Sequence, residues 1–186
     1  MSSGERRDSI DRLTNPQSIT IARLMADYLE SKAPEGSSLP QEEDEQKQAL
    51  SDILTQYGQD VDLTKSELTE NVNEETVGAA AKQFLLFIAE SQDEESLKEL
   101  DGHLSNPPTG GVASIDPAML PIFLPIVVAG CIALLNVVGG ISYENGRWKF
   151  NPRQRSGGPD PVERNLRTFR GLIAPIFGRK STEPKQ

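Results

Sequence analysis

MLPIFLPIVVAGCIALLNVVGGI, residues 119–141, has no charged side chain in twenty-three positions. A run of this length is either a membrane span or the buried centre of a fold, and the choice governs how the rest of the chain is read. Asp116 is a suitable cap, and Pro117 fits the first helical position, where its missing N–H costs nothing. A helix over residues 117–141 is about 37 Å long at ~1.5 Å per residue, against a hydrocarbon thickness of roughly 30 Å. Pro121 lies near the end of the first turn, but Pro125 is inside and kinks the helix. A helix that starts after Pro125 and runs over 126–140 reaches only about 22 Å, which suits a re-entrant or interfacial segment. The soluble alternative is a central helix, or two half-helices, packed inside the chain's own fold. The remainder of the chain reads as too small a bundle to cover such a segment. The expectation is therefore insertion in a bilayer, carried by Leu120, Phe123, Leu124, Ile126, Val127, Val128, Leu134 and Leu135.

Ala129, Ala133, Asn136 and Gly140 fall on one face of that helix. Small residues let helices approach closely in lipid, and Asn136 can hydrogen-bond across the contact. The face predicts self-association into a homo-oligomer; equally, small residues fit against the protein's own helices. Cys131 lies off this face and reads as an inert packing residue.

Outside the segment the 186-residue chain is poor in core-forming side chains: it is 36% hydrophobic and 5% aromatic overall, and much of that is in the apolar run. The soluble part is therefore expected to be small and helical. The net charge of −9 conceals an asymmetry. From Tyr143 onward ten Lys or Arg face four Asp or Glu, a balance of +6, while residues 1–142 carry nine against twenty-four, a balance of −15. An acidic front with a basic end points to an anionic surface for the basic end, or to attraction between the two ends. The single cysteine forms no internal disulfide. MSSGERRDSIDRL has arginines but no apolar run after them, so it is read as a flexible arm over residues 1–15 and not as a signal peptide.

Residues 16–106 are expected to form an acidic bundle of three to five short helices. NPQSITIARLMADYLESK has Ile19, Ile21, Leu24, Met25, Tyr28 and Leu29 near one helical face, with Ser18 as cap. EEDEQKQALSDILTQY places Leu50, Ile53, Leu54 and Tyr57 on a stripe behind an acidic start that suits a helix N-terminus. LTKSELTENVNEE reads as one short helix. ETVGAAAKQFLLFIAES is apolar on nearly all sides and belongs at the bundle's centre. DEESLKELDGHLS is a short amphipathic helix, and residues 107–116 are a linker rich in Pro and Gly.

After the apolar segment, ISYENGRWKF reads as a β-hairpin over 141–150. Asn145-Gly146 is the preferred pair for a two-residue type I′ turn. That turn pairs Glu144 with Arg147, Tyr143 with Trp148, Ser142 with Lys149 and Ile141 with Phe150, and it puts Ile141, Tyr143, Trp148 and Phe150 on one face. In the tail, residues 151–186, Leu166, Phe169, Leu172, Ile173, Ile176 and Phe177 follow helical spacing until Pro175 interrupts. Arg164, Arg167 and Arg170 flank them. A basic amphipathic helix of this kind binds a membrane surface, docks in a partner's groove, or covers the protein's own core. Tyr143, Arg147, Trp148, Lys149, Arg164, Arg167 and Arg170 are the expected interfacial anchors.

The fold class expected is mainly α: a small N-terminal bundle, one long apolar membrane-inserting helix, a short β-hairpin and a basic amphipathic C-terminal helix. His103 is the only histidine and Cys131 the only cysteine, too few for a His- or Cys-rich zinc site or a poised nucleophile and base. No glycine-rich phosphate loop is present. The chain is thus read as a non-enzyme with neither metal nor cofactor. The expected function is a membrane-associated effector or adaptor, with its N-terminal domain cytoplasmic. Its expected partners are anionic lipid and a protein bound by the acidic bundle; nucleic acid is not expected. The alternative is a soluble helix-rich scaffold that buries the apolar segment against a partner or a second copy.

Overall fold

A computed structural model describes residues 1–32, 39–40, 42–58, 63, 66–68, 72–91, 93–108, 120–151, 166–167, 170 and 177–179. Local sequence signals set most of the helix starts. Helix α1, Ser3–Arg12, opens on a capping box in which Ser2 and Glu5 satisfy each other's backbone N–H. Helix α2, Asn15–Ser31, opens on a second box, Thr14 with Gln17, and has a proline in its first turn. Helix α3, Glu43–Gln56, has no side-chain cap but places Glu43, Asp44 and Glu45 at its positive end. Helix α4, Glu74–Glu90, is capped by Asn73, and helix α5, Glu94–Ser105, by Asp93. The apolar run forms helix α6, Leu120–Val138. The strands are β1, Ser66–Leu68, β2, Ile141–Glu144, β3, Arg147–Phe150, and β4, Phe177–Arg179, joined as two antiparallel pairs, β1 with β4 and β2 with β3.

Helix α6 is the centre of the molecule. It packs against α2, α4 and α3, most extensively against α2. Val127, Val128, Cys131, Ile132, Ala133, Leu134 and Leu135 are all 2% exposed or less and share one core cluster with Met25 and Ala26 of α2, Leu50 and Leu54 of α3, and Phe84 and Ile88 of α4. The close approach depends on Gly130. A Cβ there would lie 2.7 Å from Phe84 Cζ and 2.9 Å from Ala26 Cβ. The same holds at Gly139, where a Cβ would meet Phe150 Cε2 at 2.5 Å. There the chain turns out of α6 into the hairpin.

This arrangement does not support the transmembrane expectation for the segment. Among the described residues no helix is long and apolar enough to cross a membrane. The nineteen residues of α6 rise about 28 Å, with Pro125 inside, and the half from Val127 onward is covered by the chain's own helices. The cover comes from more of the chain than the sequence suggested. Residues 3–12, expected as a flexible arm, are a helix that buries Ile10 and Leu13 in the core, and Trp148, Phe150 and Leu166 join the same cluster.

Other expectations shift as well. Helix α2 begins three residues before Ser18, which is buried instead; its hydroxyl donates to the carbonyls of Asn15 and Gly78 and so ties α2 to α4. Leu24, placed on the apolar stripe, is 41% exposed, because the bundle takes the face that carries Met25 and Leu29. Ser66–Leu68, expected within a short helix, is a strand paired with Phe177–Arg179. Pairing gives their backbone groups partners along one edge. Phe177 thus belongs to a strand, beyond the helix-breaking Pro175. Of the expected tail helix, residues 166–167 and 170 are described and helical. Arg164, the other tail residues between 152 and 176, and residues 180–186 lie outside the described residues, as do residues 109–119 of the linker and helix start.

Helix α1 is fastened by more than its two apolar contacts. Arg6 donates from Nε and Nη2 to the two carboxylate oxygens of Asp101 on α5, at 2.7 and 2.8 Å. Those N–H groups hold the Asp101 carboxyl below its ordinary pKa. A lowered folded-state pKa contributes stability above the unfolded value and loses it as pH falls through the folded one. Asp101→Asn is therefore expected to cost about 1–3 kcal/mol at neutral pH. The deficit relative to wild type should shrink below about pH 4, the ordinary aspartate range. Denaturant titrations at pH 7 and pH 3 check both the loss and its sign.

Candidate functional site

The hairpin is the part of the molecule where polar and aromatic groups are set most deliberately. Asn145 and Gly146 both have positive φ, 54° and 77°, as the type I′ turn requires. The register follows from it: Ile141 opposite Phe150, Ser142 opposite Lys149, Tyr143 opposite Trp148, and Glu144 opposite Arg147. This is the hairpin and the pairing expected from the sequence. The polar face is tied to itself. Glu144 accepts from Lys149 at 3.0 Å and from the Ser142 hydroxyl at 3.0 Å, and Asn151 donates to Ser142. The Lys149 ammonium, then Ser142, holds the Glu144 carboxyl below its usual range.

Strand β3 is docked edge-on to helix α3. The Trp148 N–H donates to Asp52 Oδ2 at 2.9 Å. The Gln56 side-chain amide closes a two-bond ring with Phe150, accepting its N–H at 3.0 Å and donating to its carbonyl at 2.8 Å. Side chains of a helix thus take the place of a third strand and satisfy the outer edge of β3. Gln48, one turn before Asp52, donates to Asp52 Oδ1 at 2.9 Å and fixes that carboxylate. Gln56→Ala removes both partners of a half-buried peptide group and is expected to cost about 2 kcal/mol, within the range for orphaned buried polar groups. The same substitution should speed amide exchange at Phe150, which hydrogen-exchange mass spectrometry resolves.

Beyond this dock a cavity of about 780 Å³ opens between α3 and the hairpin, lined by Leu39, Asp44, Glu45, Gln48, Tyr143 and Trp148. The Tyr143 and Trp148 rings stand 5.1 Å apart, centroid to centroid, and tilted by 58°. Trp148 is 9% exposed, whereas Tyr143 is 58% exposed. The cavity wall therefore combines two aromatic rings with two carboxylates.

The residues singled out from the sequence scatter relative to this site. Val127, Val128, Leu134 and Leu135 are core, and Phe123 and Ile126 are half-buried against the core. Leu120 and Leu124 lie on α6, with side chains outside the described residues. Ala129 and Ala133 are buried inside the bundle, Asn136 Oδ1 accepts from the Ile141 N–H at 3.5 Å, and the Gly140 carbonyl accepts from Asn151. Tyr143 and Trp148 come together in the cavity. Lys149 is paired across the hairpin, Arg147 and Arg167 are exposed and Arg170 is half-buried. Asp44, Glu45, Gln48, Asp52 and Gln56 were not singled out. Their helical spacing was visible, but their position beside residues almost a hundred places later was not.

Burial raises the Cys131 thiol well above its ordinary pKa, and a protonated, sealed thiol is not a nucleophile. His103 faces Glu99 one turn away at 3.5 Å. Among the described residues no group of three His, Cys, Asp or Glu is placed to hold a metal ion. No known protein family, curated protein or solved structure matches the chain.

Proposed function

We propose that the protein is a non-enzymatic adaptor that uses the apolar segment as its own central core helix and acts by binding another protein at its acidic surface. The observation that carries this is the burial of Val127–Leu135 among α2, α3 and α4. A helix whose apolar side chains already have partners within the chain gains little by entering lipid. This differs from a scaffold that needs a partner or second copy to cover the segment. A binding role is supported by the charge of residues 1–142 and by the open cavity between α3 and the hairpin, which has the size and mixed lining of a recognition site. The sealed thiol supports a non-catalytic role, as does the half-buried histidine set against Glu99 on its own helix.

Vesicle flotation tests the proposal. The full chain, purified without detergent, is mixed with neutral or anionic phospholipid vesicles and centrifuged through a density step. It is expected to stay at the bottom with both compositions, and to show the mass of a single 20.4 kDa chain by light scattering. Flotation with either vesicle would overturn the proposal and favour a bilayer-inserting effector.

A further inference from the structure

We infer that the cavity between α3 and the hairpin binds the alkylammonium head of a lysine side chain on a basic segment of a partner protein. Three features of the wall converge on that chemistry. The Tyr143 and Trp148 rings form a corner, 5.1 Å apart and tilted by 58°, and the negative faces of aromatic rings attract a desolvated ammonium. Asp44 and Glu45, from the first turn of α3, line the same cavity as the rings, so its wall carries negative charge. Gln48 completes the set. Its Nε2 is taken by Asp52, which leaves the amide carbonyl as an acceptor for an ammonium N–H. Leu39 adds an apolar wall suited to the four-carbon stem of lysine.

The same features exclude other ligands on physical grounds. An anion meets two carboxylates at close range. A wholly apolar ligand covers the Asp44 carboxylate and the Gln48 carbonyl without offering either a hydrogen bond, which is costly. A phosphocholine lipid headgroup offers a suitable cation, but its phosphate sits a few atoms away and would face Asp44 and Glu45. A lysine in a basic peptide carries no such phosphate. The site is also rigid where it must be. Trp148 is held through its backbone by Asp52 and through β3 by Gln56, and its partner Tyr143 is fixed by the hairpin register. The partner class rests on the adaptor proposal; the chemistry of the site does not.

Trp148 is the only tryptophan in the chain, so its fluorescence reports on the site directly. The probe is a capped Ser-Gly-Lys-Gly-Ser peptide, titrated into the full chain beside the same peptide with its lysine Nε-acetylated and therefore neutral. The lysine peptide is expected to give a saturable change in emission, with the acetylated peptide at least about tenfold weaker. Tyr143→Leu and Asp44→Asn are each expected to weaken the lysine peptide about five- to tenfold. Each also loses a small local contribution, Asp44 at the positive end of α3 and Tyr143 against Trp148, so the thermal midpoint should fall by no more than about 2–4 °C while the fold is kept. Equal response to the two peptides, no saturation, or undiminished binding by Tyr143→Leu overturns the inference. A saturable response to phosphatidylcholine vesicles without one to the peptide also overturns it and assigns the cavity to a lipid headgroup. Flotation separates the two failures: a chain that stays off vesicles yet ignores the peptide loses this site and keeps the adaptor proposal.

Discussion

Gly130→Leu is expected to leave no folded protein, and Gly130→Ala to fold with a net loss of about 1–3 kcal/mol. The direction of the alanine result matters most. On an uncrowded helix Gly→Ala stabilises by up to about 1 kcal/mol through helix propensity. At Gly130 the added methyl would come within 2.7 Å of Phe84 Cζ and 2.9 Å of Ala26 Cβ, so α2 and α4 must move apart or Phe84 must leave its position. Overpacking then outweighs propensity. Phe84→Leu in the Gly130→Ala background should recover part of the loss, so the two substitutions are expected to be non-additive, as residues in contact are. Gly140→Ala is the control. Nothing lies within 4 Å of its Cβ, and its effect should stay within about 0.5 kcal/mol. Urea titrations of the four variants give these values directly.

Leu134→Ala is the second large effect, a loss of about 2–5 kcal/mol. Leu134 is fully buried in the cluster that joins α6 to its neighbours, and the spread reflects how far the bundle can close over the vacated space. A lipid-facing leucine would behave otherwise, since hydrocarbon fills the space left by a smaller side chain. Thermal melts in detergent-free buffer, with the denaturant midpoint as a second readout, check the figure.

The hairpin was the most legible part of the chain, because Asn145 and Gly146 specify a turn whose geometry imposes the whole register. Helices α2 to α5 were legible from periodicity, which acts within a few residues, although the α2 cap was expected at Ser18 and is Thr14. Helix α1 was missed although Ser2 and Glu5 stand three apart in a capping-box pattern. Its apolar content is low, and what docks it, Arg6 to Asp101, spans 95 positions. The apolar segment was ambiguous for a related reason. Its composition records that water must be excluded, but lipid and protein exclude water equally well. The difference is made by Phe84 and Ala26, which lie far from Gly130 in sequence. Tyr143 and Trp148 were found as an aromatic pair and expected at a lipid interface; the carboxylates that line the same cavity are on α3, out of reach of a local reading.

The labelling of Cys131 tests the central claim most directly. It is the only cysteine, sits in the middle of α6, and is fully buried. In buffer without lipid or detergent, the native chain is mixed with an excess of a thiol-reactive maleimide across a urea series, and the labelled fraction is read by mass spectrometry. If α6 is the core of the chain's own bundle, Cys131 stays unlabelled in native buffer and becomes reactive only along the global unfolding transition followed by circular dichroism. Rapid labelling in native buffer, or labelling that precedes unfolding, would contradict the account.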